Sequence, residues 1–234
     1  MAVNLKLDDG VAEVTILGED GNRLDRGILD GLLEAFESAT REGARALVLA
    51  AAGDDFCLGR SRADDPPPTE KAIAEQFTHI QSVNARLQAL PMVTVAAVQG
   101  QAVGAGLSLA ARCDIVVVAE DARLSFPEVP HGVPPTIVLS HYGYVLPRNL
   151  LGDLIFTGRE IVGGDAIAAG LAARAVAPAE LMPEALSIAR QVADYDQASV
   201  RLVKQFLAHA HNMPPEQAPA AGIALYAEEM ARRA

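Results

Sequence analysis

"GQAVGAGLSLAARCD", residues 100–114, is the stretch on which the reading of this sequence turns. Gly100, Gly104 and Gly106 fall close together, and the chain then runs directly into a helical pattern. Glycines at that spacing let a backbone approach another group closely. That group is either a phosphate, as in nucleotide-binding loops, or a carbonyl oxygen that gathers negative charge during a reaction.

A dinucleotide-binding loop follows the first strand of its domain, with an acidic residue for the ribose after the next strand. Here at least three strand patterns come first. They are "VAEVTIL" (11–17) behind the turn signal "DDG", "ARALVLAAA" (44–52) and "VTVAAVQ" (93–99). The Tyr-x-x-x-Lys pair of short-chain dehydrogenases is missing too, because none of Tyr142, Tyr144, Tyr195 and Tyr226 has a lysine four residues on. The phosphate reading is set aside.

Between the strands lie helical patterns. "DRGILDGLLEAFESATRE" (25–42) spaces Ile28, Leu32, Leu33 and Phe36 as one apolar face, and "EKAIAEQFTHIQSVNARLQAL" (70–90) runs up to Pro91. A long loop, 53–70, separates the second strand from this helix, and its "DDPPPTE" patch reads as stiff. A short helix after the glycines leads to the strand "DIVVVA" (114–119). Alternation of this kind predicts an α/β fold with mainly parallel pairing. Beyond about residue 180 only helical patterns remain, so the expected organisation is a core over 1–180 and a helical C-terminal region over 181–234.

Composition narrows the function classes. Half of the 234 residues are hydrophobic and only 4% aromatic, which leaves few rings for stacking on bases. A formal net charge of −11 disfavours nucleic acid and anionic membranes as partners. Cys57 and Cys113 have neither metal-ligand nor disulfide spacing and read as small buried hydrophobes. The first residues lack the pattern of a signal peptide, and no apolar run reaches the roughly 18 residues of a membrane span. The expected location is the cytoplasm.

The carbonyl alternative makes its own demand. A thioester oxygen that becomes negative needs two converging backbone N–H donors. The glycine loop opening a helix can offer one. The second must come from another loop, and "FCLGRSRAD" (56–64), just after the strand at 44–52, is suited to it. "FPEVPHG" (126–132) then brings a single carboxylate, Glu128. Two donors and one acid are the minimum for proton chemistry beside a thioester.

With these pieces in this order, the sequence resembles the crotonase (enoyl-CoA hydratase/isomerase) superfamily. The resemblance is carried by "GNRLDRGILDGLLEAFE", "RALVLAAAGDDFCLGRSRAD", "PMVTVAAVQGQAVGAGLSLAARCDIVVVAEDARLSFPEV" and "LIFTGREIVGGDAIAAGLAARAVAP". It implies a crotonase-like spiral of repeated ββα units, assembled as a homotrimer or a dimer of trimers. An acyl-CoA ester would be the substrate, with no metal and no cofactor beyond the coenzyme A that the substrate carries. By position it implies the N–H of Arg60, after Gly59, as the first oxyanion donor and that of Ala105, between Gly104 and Gly106, as the second. Glu128, in its Pro127-Glu128 context, would be the acid/base. Arg23, Ser61 and Arg62 would face the coenzyme A, with Arg23, Arg60 and Arg62 able to pair with its phosphates.

Three departures stand out. Ser108 occupies the place of the first acid of the two-acid hydratases. Thr136 follows Pro135 where the family usually has glycine, so "EVPHGVPPTI" is more similar to hydratases of branched glutaconyl-type CoA esters, which can also lack the first acid. Chains of the family commonly continue beyond the point where this one stops, in a part that often closes over the acyl chain. The expected activity is enoyl-CoA hydratase with a single glutamate. An enoyl-CoA isomerase using the same residues and a non-catalytic acyl-CoA-binding homologue are the alternatives. His131, three residues past Glu128, is a candidate second proton carrier, whereas His79, His141, His209 and His211 show no metal-ligand pattern.

Overall fold

The computed structural model describes residues 2–63, 65, 67, 69–210 and 213–233. The "DDPPPTE" patch falls only partly among them, and His211 lies outside the described residues.

The chain opens with an antiparallel hairpin of β1 (Val3–Asp8) and β2 (Val11–Ile16). Helix α1 (Arg26–Arg41) starts on Asp25, whose carboxylate accepts the Ile28 N–H at 2.7 Å. Such a cap is worth about 1 kcal/mol. Ile28, Leu32, Phe36 and Ala39 recur at helical spacing and form the buried stripe of α1, which packs on β1 and β2. After β3 (Ala46–Ala51), the long loop leads into α2 (Glu70–Gln88), whose buried residues all lie in its second half, from Ile80 onward.

A strand–strand–helix unit follows: β4 (Val93–Val98), β5 (Gln101–Val103) and the short α3 (Ala105–Ala110). The pattern returns with β6 (Ile115–Ala119), β7 (Arg123–Ser125) and α4 (Thr136–Val145). In both units the first strand enters a six-stranded sheet and the second enters a three-stranded one. The rest of the chain supplies α5 (Arg148–Thr157), β8 (Ile161–Val162), α6 (Gly163–Ala166) and β9 (Arg174–Val176). Helices α7 (Leu181–Ala193), α8 (Gln197–Ala210) and α9 (Ala218–Arg233) complete it.

The larger sheet has the order β1-β2-β3-β4-β6-β9, parallel throughout except for the opening hairpin, and the smaller one is β5-β7-β8. β3 and β6 read as unbroken apolar runs, and β4 as one broken only by the buried Thr94, because parallel strands are covered on both faces. Helix α7 packs across β2, β3, β4 and β6 through Leu181, Ala185, Ile188 and Ala189. Among the described residues no helix is long and apolar enough to cross a membrane.

Helix α8 packs in an inverted manner. Its one buried side chain is Lys204, whose ammonium donates to Met92 O at 2.8 Å and to Asp114 Oδ2 at 2.7 Å, while Val203 and Leu207 are exposed. The Asp114 carboxylate also accepts from the Thr94 N–H and hydroxyl.

Two glycines of the opening stretch, Gly100 and Gly106, answer to a backbone contact. A Cβ on Gly100 would lie 1.9 Å from Asp54 O, and one on Gly106 would lie 2.3 Å from Cys57 O and 2.7 Å from its Sγ. The carbonyls they approach are thus the protein's own. Cys57 and Cys113 are free and buried, and burial pushes both thiols up to about 12. Gly106→Ala is expected to destabilise the fold by about 1–3 kcal/mol, the usual cost of overpacking a filled core. Urea denaturation against wild type checks this, and an unchanged midpoint would show that the loop can yield.

Candidate active site

The loop after β3 is held on both sides. On one side Leu58 N–H donates to Gly21 O, Leu24 N–H to Gly59 O at 2.8 Å and Ser61 N–H to Leu24 O at 3.0 Å. On the other, Cys57 N–H donates to Gln101 O and Val103 N–H to Cys57 O. Gly59 has φ +89°, and a Cβ there would stand 3.0 Å from Val103 O and 3.9 Å from Ala105 N. Residues 59–60 and 104–105 are therefore neighbours across this seam. Among the described residues neither the Arg60 nor the Ala105 N–H has an acceptor.

Gly104 sits at φ 51° and ψ −111°, with its own N–H bound to Ser125 O at 2.9 Å. A Cβ on it would lie 2.3 Å from Glu128 Oε1. The carboxylate rests on the bare α-carbon of the residue just before Ala105, and only glycine leaves room for it there.

Glu128 follows β7 and the buried Phe126, and it opens a 3-10 turn, Val129–His131, that ends at Gly132 with φ 74°. The backbone carbonyl of Glu128 accepts the N–H groups of His131 and Val133. The carboxylate is half-buried, and no described residue bonds its buried Oε2. Loss of water raises its pKa above the ordinary glutamate range; its own backbone N–H and the nearby His131 oppose the shift.

The other residues singled out in the sequence distribute around this centre. Ser108 is buried in α3, and its hydroxyl makes no hydrogen bond to a described residue. Arg23 donates to Leu58 O at 2.7 Å and approaches Asp20 at 3.3 Å, so it braces the loop of Gly59. The Arg60 guanidinium is held by Asp65 and lies 5.6 Å from the Phe77 ring centre. It turns toward α2. Ser61 Oγ accepts the Ala63 N–H, and the exposed Arg62 has no acidic partner among the described residues. Pro127 O lies 2.6 Å from His131 Nδ1, so that the exposed ring is tied to the turn. His79 meets Asp30 of α1 at 3.0 Å, and burial beside Arg112 lowers His141 to about 4.

Tyr142 was missed by the sequence reading. It is fully buried, its hydroxyl donates to Leu107 O at 3.2 Å, and its ring meets Phe126 edge-on at 4.8 Å. It thereby couples α3 to the segment that carries Glu128. A tyrosine inside "SHYGYV" looks like ordinary helix packing, and no pattern sets it apart from Tyr144, which is exposed.

Comparison with known proteins shows the family and the fold. The enoyl-CoA hydratase/isomerase family model matches residues 6–232. A putative enoyl-CoA hydratase of Thermus thermophilus is 33% identical over 209 residues, covering 87% of this chain and 83% of the relative. The (E)-benzylidenesuccinyl-CoA hydratase of Thauera aromatica is 30% identical, with 92% and 86% covered. The crystal structure of an enoyl-CoA hydratase from Mycobacterium smegmatis superposes with a TM-score of 0.93 at 27% identity, over 98% of this chain and 91% of that one. The ββα spiral is the crotonase fold, and the chain belongs to the enoyl-CoA hydratase/isomerase family.

Proposed function

We propose that the protein is an enoyl-CoA hydratase working with one carboxylate. The thioester oxygen lies between the N–H groups of Arg60 and Ala105. Glu128 takes a proton from water as the water oxygen bonds to C3, and the C2–C3 π electrons move onto the thioester as an enolate. The enolate then collapses, and C2 takes the proton back from Glu128. Water is added overall and the carboxylate is restored. The observation that carries this reading is the carboxylate lying on Gly104, one residue from an N–H that has no acceptor among the described residues. Preorganised N–H donors of this kind are worth about 10²–10³ each in kcat.

Arg23, Ser61 and Arg62, with the turns of Gly59, Gly104 and Pro127, line the acyl-CoA side of the site in this proposal. Arg62 is the guanidinium best placed for a phosphate, since Asp65 occupies that of Arg60. The Ser108 hydroxyl, which bonds to no described residue, would orient water. Isomerisation is the second reading, favoured by the serine itself: without a first acid, Glu128 alone can carry a proton from C2 to C4. A cytoplasmic site of action accords with the two free thiols. No metal or cofactor is required by either chemistry.

Helices α8 and α9 expose Val203, Leu207, Ile223 and Tyr226. A neighbouring copy covering them makes the protein a homotrimer or a dimer of trimers, with the core over 1–180 and the contacts over 181–234.

Linear 2-enoyl, 3-enoyl and branched glutaconyl CoA esters incubated in heavy-oxygen water test the reaction. Labelled hydroxyacyl product supports hydration, unlabelled migration of a 3-enoyl double bond supports isomerisation, and binding without turnover supports the non-catalytic homologue. Glu128→Gln is expected to lower kcat about 10²–10⁴-fold while CoA-ester binding persists.

The raised pKa of Glu128 has two consequences. The acid limb of kcat/KM should lie above the ordinary glutamate range. Stability should also fall as pH rises, because the unfolded chain releases this proton first while the native site holds it. Glu128→Gln should therefore be more stable than wild type at neutral pH and lose that advantage in acid. Thermal melts at both pH values decide it. Light scattering should give three or six times the chain mass; a monomer would remove the proposed contact.

A further inference from the structure

Between β2 and α1, Asn22 bonds to the loop that carries Arg60. Asn22 is 2% exposed and stands in the left-handed region at φ 56°. Asparagine is among the few side chains that accept this conformation without glycine's help. Its amide is fully used. Nδ2 donates to Ala52 O and to Asp55 O, both at 2.8 Å, and Oδ1 accepts the Gly18 N–H at 2.9 Å.

Both donated bonds end on the loop after β3, and so do those of the residues beside it. Gly21 O receives Leu58 N–H, Arg23 donates to Leu58 O, and Leu24 bonds to Gly59 and Ser61. Residues 21–24 thus grip the loop at 52, 55, 58, 59 and 61, on the side away from β5. Asn22 holds the early positions together with Ile16 O, which takes the Ala52 N–H, and the Gln99 amide, which donates to Ala51 O and Gly53 O; the Cys57–Ala102 bridge follows. Phe56 N–H reaches Gln99 O, and the Asp55 side chain accepts Gln101 N–H, so the same turn also touches the strand before the second donor.

We propose that Asn22 is a positioning residue for catalysis: its amide sets where the loop turns, and hence how far the Arg60 N–H stands from that of Ala105. The inference rests on the assignment of Arg60 as an oxyanion donor. A shifted donor still admits the coenzyme but polarises the thioester less, because hydrogen bonds weaken steeply with misalignment.

The test uses two variants of the full chain. Asn22→Asp keeps the shape and the acceptor but loses both donors, and Asn22→Gly keeps the left-handed backbone and loses all three bonds. Steady-state kinetics use the enoyl-CoA ester that wild type turns over. Infrared difference spectra follow the bound thioester carbonyl, carrying ¹³C at that carbon. The expected result is a fall in kcat of about 10–100-fold, short of the 10²–10³ for outright loss of a donor. KM should stay within about twofold, and the carbonyl shift on binding should shrink. Unchanged kcat overturns the proposal. A loss with the carbonyl shift intact also does so, as does failure of both variants to fold, since each would make the role purely structural. A wild type that turns over but shows no carbonyl shift removes the donor assignment itself, and the proposal with it.

Discussion

The backbone of residues 54–57 lies against that of 99–106 at a separation that side chains at 100 and 106 would forbid. Close approach would be costly if it stranded polar groups, since a buried N–H or C=O without a partner costs about 1–3 kcal/mol. Here the contact satisfies them: Phe56 N–H, Cys57 N–H and Cys57 O all bond across the seam. The hydrogen bonds fix the two segments along their length, and the missing β-carbons fix them in depth. The proposed donors stand at the far end of this seam. Their spacing is inherited from strand pairing deep in the fold.

The carboxylate beside them is held differently. Its backbone is locked by the turn that ends at Gly132, and Tyr142 bridges from Phe126 to Leu107, but the buried carboxylate oxygen has no partner among the described residues. Such a group is destabilising in a resting fold. It makes sense where a proton must move both on and off, because a carboxylate tied into strong hydrogen bonds would keep a low pKa and be a poor acid. Rigid donors and an under-solvated acid are complementary: one gives geometry, the other readiness to exchange a proton.

Much of this was legible in the residues. Long periodic segments were read within a few positions of their ends, because α1 and the central strands bury continuous faces and α2 lies between its Thr69 cap and Pro91. The three-residue strands β5 and β7 were not, since a period of two needs more residues to show. β1 alternates Val3, Leu5 and Leu7 with polar residues, a period-two signal that was there to read, and its pairing with β2 bears it out. In the site, the glycines and Glu128 could be picked out by type and order. Asn22 and Tyr142 could not, because each acts through a contact made with residues 30 or more positions away. The Arg60 side chain illustrates the limit: its place after Gly59 was readable, its turn toward Asp65 and Phe77 was not.

Helix α8 is seated on the sheet by the ammonium of Lys204. Apolar contacts tolerate sliding, as one methyl can replace another along a groove. A buried charge does not: a shift of one residue would carry the ammonium away from Asp114 Oδ2 and Met92 O and leave it buried without its partners. The helix is therefore keyed in rotation and in height by a single side chain. Its outward residues present a fixed template before anything meets it, so recognition at this face would proceed without the entropy loss of ordering a loose helix.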